Sequence, residues 1–161
     1  MSGGGAPIAE PVDASGLRVG VAVASWHPRV SEALLAGALG ALTDCKIGDP
    51  RVVRVAGTFE LPVAAKAFVD AGYDAAICLG VVIRGDTPHF DYVCRAVTDG
   101  CTQLAVASGV PVGFGVLTCD TTEQALDRCG LPESREDKGR EAALAAITTA
   151  LAVRELRAHP V

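Results

Sequence analysis

The sequence predicts an α/β fold, a flavodoxin-like three-layer α/β/α sandwich around a central four-stranded parallel sheet. Four apolar runs of strand length each precede a segment with helical character. Strands that alternate with helices imply right-handed crossovers and a parallel sheet covered on both faces. Aromatic residues make up 4% of a chain that is 50% hydrophobic, so the core is built from Ala, Val and Leu, whose short side chains suit close helix–sheet packing.

The first strand is expected over residues 17–24, and the helix after it from the spacing of Val30, Leu34, Ala38, Leu42 and Cys45. A second strand at 51–56 leads to a helix at 62–71 that stops at Gly72. The third, at 75–80 with an extension to Ile83, leads to a helix at 88–107 that stops before Gly109. The fourth lies at 110–117. Asp120 with Glu123 suggests a capping box for a short helix ending by Gly130 and Pro132, and a final helix spans about 137–157.

A chain of 161 residues suits one domain, which buries roughly 70% of the surface its unfolded form exposes. Residues 1–16, rich in Gly, Ala and Pro, are expected to form a flexible N-terminal arm, leaving 17–161 as a single domain. A net charge of −5 without a basic run argues against nucleic acid and anionic membranes as partners. Six cysteines show no CxxC pair and no histidine at metal-ligand spacing, so no metal is expected and the thiols read as buried core groups. Neither a secretory signal nor an apolar stretch of about 18 residues is evident, so the expected location is the cytoplasm.

Three strand-to-helix turns share a design. Trp26-His27-Pro28, Phe59-Glu60-Leu61-Pro62 and Asp86-Thr87-Pro88 each put proline at a helix start and an aromatic or polar group before it. Ligands of open parallel sheets bind beyond the carboxyl ends of the strands, so these turns should line one edge. Within GVVIRGDTPHFDYV (80–93), Thr87 is the expected N-cap and Pro88 the first helical residue. Gly85 allows close backbone approach to a ligand. Amide groups at a helix start bind phosphate or carboxylate, and His89 can exchange protons near neutral pH.

GVVIRGDTPHFDYVC, preceded by GTFELPVAAK (57–66) and followed by PVGFGVLTCDTTEQALDRCG (111–130) and DKGREAA (137–143), resembles the 6,7-dimethyl-8-ribityllumazine synthases. The likeness runs from about residue 17 to 157, and four ordered motifs make it specific. It implies a cofactor-independent condensation of 5-amino-6-(D-ribitylamino)uracil with 3,4-dihydroxy-2-butanone 4-phosphate to 6,7-dimethyl-8-ribityllumazine, releasing phosphate and water, the penultimate step of riboflavin biosynthesis.

Carried over position by position, the resemblance implies that Trp26 stacks on the pyrimidine. Thr58, Phe59 and Glu60 would bind it and its ribityl chain, and the strand end Val81, Val82 and Ile83 would meet the uracil edge. Phe114 stands at a slot that a neighbouring subunit supplies. Gly85, Asp86 and Thr87 match the turn holding the phosphate-bearing substrate, with Asp86 expected to act through its backbone. Arg128 and Lys138 match the phosphate-binding cations, and His89 the proton-transfer residue.

LPESRED (131–137) resembles the loop of members that stop at pentamers, so a homopentamer with sites between adjacent subunits is expected, with a functional link to riboflavin synthase. A non-catalytic flavin- or lumazine-binding module, or a structural shell protein, is the alternative use of the same scaffold.

Overall fold

The computed structural model describes residues 10–159. The first nine residues, the greater part of the predicted arm, lie outside the described residues. Where description begins, the chain already rests on the body: Ala14 is buried, and its N–H donates to the Cys45 carbonyl at 2.9 Å.

Four strands, β1 (Val19–Ala24), β2 (Arg51–Val55), β3 (Ala75–Ile83) and β4 (Val112–Cys119), form one parallel sheet in the order β2-β1-β3-β4. Helices α1 (Pro28–Asp44) and α5 (Lys138–Ala158) cover one face with the short α4 (Thr122–Leu126), while α2 (Leu61–Asp70) and α3 (His89–Ser108) cover the other. This is the flavodoxin-like sandwich that the alternation of strands and helices predicts. Both sheet faces are buried, which is why β1 is buried at every position instead of alternating.

The core divides accordingly. On the α1/α5 side Leu34, Leu42, Ile77, Leu79 and Ile147 are fully buried, each contributing roughly 1.5–3 kcal/mol from apolar burial. On the other side Leu61, Ala65 and Phe68 of α2 and Val97 and Cys101 of α3 pack on Ala22, Ala76 and Cys78. Close approach of α5 to α1 depends on Gly139, where an added Cβ would lie 2.1 Å from the Leu34 carbonyl oxygen.

Three local expectations are corrected. Helix α3 starts at His89, with Pro88 before it at φ −63°, and the Thr87 hydroxyl is only a distant acceptor for the His89 N–H, at 3.4 Å. Proline's fixed φ suits either position, so sequence alone leaves the first residue open. At α4 the cap is Thr121, whose hydroxyl accepts from the Gln124 N–H, while the Gln124 side chain accepts from the Asp120 N–H at 2.9 Å. The capping pair is thus shifted one residue from Asp120 and Glu123. Helix α4 ends at Leu126, short of the expected end by Gly130, so Arg128 lies in the loop beyond it.

Strand β3 outruns one of its neighbours. Its pairing with β1 stops at Val23↔Leu79, whereas its pairing with β4 continues to Ile83↔Cys119. Residues 80–83 therefore project past β1 and form one wall of an open space above it.

Candidate active site

That space is a cleft of about 530 Å³ at the carboxyl ends of β1, β2 and β3. It is lined by Trp26, Thr58, Phe59, Glu60, Val81, Val82, Ile83 and His89, eight of the residues the sequence assigns to a site. Trp26 and Phe59 are 67% and 63% exposed. Large rings held open above a packed core leave apolar surface uncovered, which is what a planar ligand would cover.

Each turn is braced from within. After β1, the buried Ser31 donates from its hydroxyl to the Trp26 carbonyl at 2.7 Å, and the His27 carbonyl accepts from the N–H groups of Val30 and Ser31. His27 adopts a left-handed backbone, φ 51°. After β2, residues Thr58–Glu60 form a 3₁₀ turn in which Glu60 Oε2 accepts from the Gly57 N–H at 2.9 Å. One carboxylate oxygen is thus committed to the loop and the other is left for a ligand. Thr58 is buried because Gly80 of β3 has no side chain: a Cβ there would meet the Thr58 methyl at 2.8 Å. After β3, the turn of Gly85, Asp86 and Thr87 is exposed, with open space beside Gly85.

Arg84 serves this last turn structurally. Its Nε donates to Asp120 at 2.8 Å, its Nη2 to Asp91 at 3.4 Å, and its guanidinium stacks 4.1 Å from the Phe90 ring centroid. The hydrogen bond to Asp120 is the largest influence raising its pKa. The β3–α3 turn is thereby tied to the β4–α4 turn.

Phe114, Arg128 and Lys138 do not line the cleft of their own chain. Phe114 lies opposite Cys78, five positions before the Ile83↔Cys119 pair, which at strand spacing is roughly 17 Å from the cleft end. Arg128 sits in the loop after α4, half-buried, with Nη1 donating to the Gln124 carbonyl at 2.9 Å. Its own carbonyl accepts from the Lys138 N–H, so the two residues are held together.

Lys138 faces Glu136 at 2.6 Å and Glu141 at 2.7 Å. Burial works against its ammonium, but the bonds to these two carboxylates outweigh it and raise its pKa. The same Lys138 contact, aided by the charge of Arg128, lowers the Glu136 pKa, and Arg135 lowers that of Asp127.

His27, Ala56, Gly57 and Val93 also line the cleft, and sequence reasoning assigns none of them to a site. Val93 follows His89 by one helical turn, a signal available from spacing. His27 is legible only as the neighbour of Trp26. Among the described residues no cluster of three or more His, Cys, Asp or Glu is arranged to hold a metal ion, and no helix is long and apolar enough to cross a membrane.

Residues 16–154 match the family model described as 6,7-dimethyl-8-ribityllumazine synthase. Proteins of that name are 58% identical over 160 residues in Kineococcus radiotolerans, covering 99% of both chains, and 56% identical over 156 residues in Streptomyces avermitilis, covering 97% of both. A Nocardioides protein of the same name is 57% identical over 156 residues, again covering 97% of each chain.

Proposed function

The chain belongs to the 6,7-dimethyl-8-ribityllumazine synthase family, and we propose that it condenses 5-amino-6-(D-ribitylamino)uracil with 3,4-dihydroxy-2-butanone 4-phosphate to the lumazine. The observation that carries this reading is the cleft itself. It joins two exposed aromatic rings, a strand end, a carboxylate with one free oxygen and a histidine.

In this reading the pyrimidine lies between the Trp26 ring and the ends of β2 and β3, its uracil edge on the backbone of Val81, Val82 and Ile83. Thr58, Phe59 and Glu60 hold the ribityl chain, with Glu60 accepting from its hydroxyls. The aryl amine attacks the ketone, water leaves to give an imine, phosphate is eliminated, and ring closure expels a second water. Every step moves protons and none changes oxidation state overall, so the scheme asks His89 for general acid–base catalysis, worth ~10²- to 10⁴-fold. Holding both substrates in one cleft adds the gain of proximity. No cofactor enters the scheme.

The phosphate-bearing substrate would rest on the backbone of Gly85, Asp86 and Thr87, with the cations supplied by Arg128 and Lys138. Those cations and Phe114 belong, in this proposal, to an adjacent copy, because Phe114 of the same chain is roughly 17 Å along the sheet from the cleft end. A homopentamer, a heterologous contact closed into a ring, would finish each site. Two observations support a partner surface. Helix α3 buries Val97 and Cys101 but leaves Tyr92 and Val106 exposed, and Val63 of α2 is exposed nearby in sequence to the cleft turn. We place the reaction in the cytoplasm, where a phosphorylated sugar fragment is retained, and link its product functionally to riboflavin synthase.

Mixing the two substrates with the protein and following phosphate release and lumazine absorbance tests the activity. Native mass in the same buffer tests the ring. Tight flavin or lumazine binding without turnover would instead identify a binding or shell protein on this scaffold.

A further inference from the structure

Among the described residues the buried polar side chains are Ser31 and Thr58. Ser31 abuts the β1–α1 turn and Thr58 lies in the β2–α2 turn, both turns lining the cleft. A buried hydroxyl needs a partner, and that of Ser31 donates to the Trp26 carbonyl at 2.7 Å, five residues back and outside the helix. Hydroxyls elsewhere in the helices behave differently: those of Thr43, Thr98 and Thr148 return to the carbonyl four residues back. Ser31 reaches past the start of α1 to hold a residue of the preceding turn.

What it holds is a strained segment. His27 has a left-handed backbone, φ 51° and ψ 64°, which its Cβ disfavours and which Pro28 opposes by pushing the residue before it toward extended backbone. Such a conformation persists only where its surroundings fix it. Ser31 grips both peptide groups that flank His27: its N–H donates to the His27 carbonyl at 3.0 Å and its hydroxyl to the Trp26 carbonyl. The Trp26 ring lies beside Gly57, where an added Cβ would sit 3.5 Å from Cδ1 and 3.7 Å from Nε1. Gly57 offers no side chain to clamp the ring, so its orientation depends on the backbone that Ser31 fixes.

We propose that Ser31 is a positioning residue for the pyrimidine substrate, keeping the Trp26 ring at the cleft wall in the orientation that stacks on the pyrimidine. This rests on the condensation proposed above; Ser31 itself touches no substrate. Without its hydroxyl the Trp26 carbonyl loses its partner, and the turn relaxes toward the extended backbone that Pro28 favours. Only a fraction of molecules then present the ring, and the apparent affinity falls by that fraction.

Trp26 is the only tryptophan of the chain, so its fluorescence reports on the ring directly. The test titrates assembled wild type and Ser31→Ala with 5-amino-6-(D-ribitylamino)uracil alone, and measures KM for both substrates. Ile147→Val, in the core beneath α5, is the reference for a loss of packing that leaves the turn in place. Ser31→Ala is expected to weaken pyrimidine quenching of Trp26 and to raise KM for that substrate about tenfold, the competent turn falling to about a tenth of the population. KM for the butanone phosphate should stay at the wild-type value. Ile147→Val should lower Tm and leave the quenching constant unchanged.

An unchanged quenching constant in Ser31→Ala, or an equal weakening in Ile147→Val, would overturn the assignment and leave the condensation standing. So would a rise in KM shared equally by both substrates. A wild type that makes no lumazine, yet binds the pyrimidine with a quench that Ser31→Ala weakens, would overturn the reaction and retain the positioning role. A wild type whose Trp26 signal the pyrimidine does not move would overturn the stacking on which that role depends.

Discussion

Glu60 performs two tasks with one carboxylate, and two substitutions separate them. Oε2 accepts from the Gly57 N–H at 2.9 Å, bracing the 3₁₀ turn that presents Thr58 and Phe59 to the cleft. A hydrogen bond to a charged acceptor is worth roughly 1.5–3 kcal/mol, and 1 kcal/mol moves Tm by about 2–4 °C in a domain of this size. Glu60→Ala removes the brace and should lower Tm by roughly 3–12 °C, as well as weakening the pyrimidine. Glu60→Gln keeps an oxygen for Gly57 and should hold Tm within about 4 °C of wild type, the difference between a charged and a neutral acceptor being ~1 kcal/mol.

At the other position the glutamine presents an NH2 donor in place of a charged acceptor, so the bond accepted from a ribityl hydroxyl is lost and KM for the ribitylamino substrate should rise by about tenfold or more with kcat little altered. Steady-state kinetics at saturating butanone phosphate, paired with thermal melts, read the two tasks apart. If Glu60→Gln leaves that KM at the wild-type value while Glu60→Ala loses stability, Glu60 is a loop brace and the ribityl assignment is wrong.

His89→Ala should lower kcat by about 10²-fold or more with modest changes in either KM, measured by lumazine formation. Arg128→Ala should raise KM for the butanone phosphate by about 10- to 100-fold, the loss of a charge-assisted bond; an equal rise for the pyrimidine would refute the phosphate role. Arg84→Ala should leave the fold intact, since exposed ion pairs contribute about 0–1 kcal/mol, and should lower kcat several-fold, by about as much as loosening His89 costs, without a selective effect on phosphate KM. Acid should loosen the loop that carries Arg128. Asp127 and Glu136 titrate below their ordinary values in the folded chain, so their contribution is fully present above about pH 4.3 and lost as pH falls through the folded-state values. Amide exchange in residues 127–138 measured from pH 5 downward should rise before exchange in β1 does.

The three turns that build the cleft are legible because their signals are local: a proline at a helix start, an aromatic or acid just before it, and an apolar run ending there. Their convergence follows from the fold class, since parallel strands deliver all three turns to one sheet edge. Caps are less legible. Asp120 with Glu123 and Thr121 with Gln124 offer the same capping chemistry one residue apart, and the choice depends on where β4 ends, which its pairing to Ile83 decides. His27 is hidden for a different reason: a positive φ at a residue before proline runs against both local preferences, so propensity argues away from the conformation the packing of Ser31 imposes.

Arg84 illustrates why a single chain holds only part of the proposed site. It immediately precedes the turn assigned to phosphate, and a guanidinium there would be the simplest anion contact. Yet Asp120 and Asp91 already accept from it and Phe90 covers its face, so binding phosphate would require displacing two carboxylates. The fold has used that cation to lock two turns together. Arg128 lies beyond the other end of this brace, in a loop fixed by its bond to the Gln124 carbonyl and by the Lys138 N–H, and it does not line the cleft. A phosphate held at Gly85 to Thr87 therefore needs its guanidinium from outside the chain, which makes catalysis in this proposal a property of the assembled ring and explains why its loss on dissociation should precede any loss of fold.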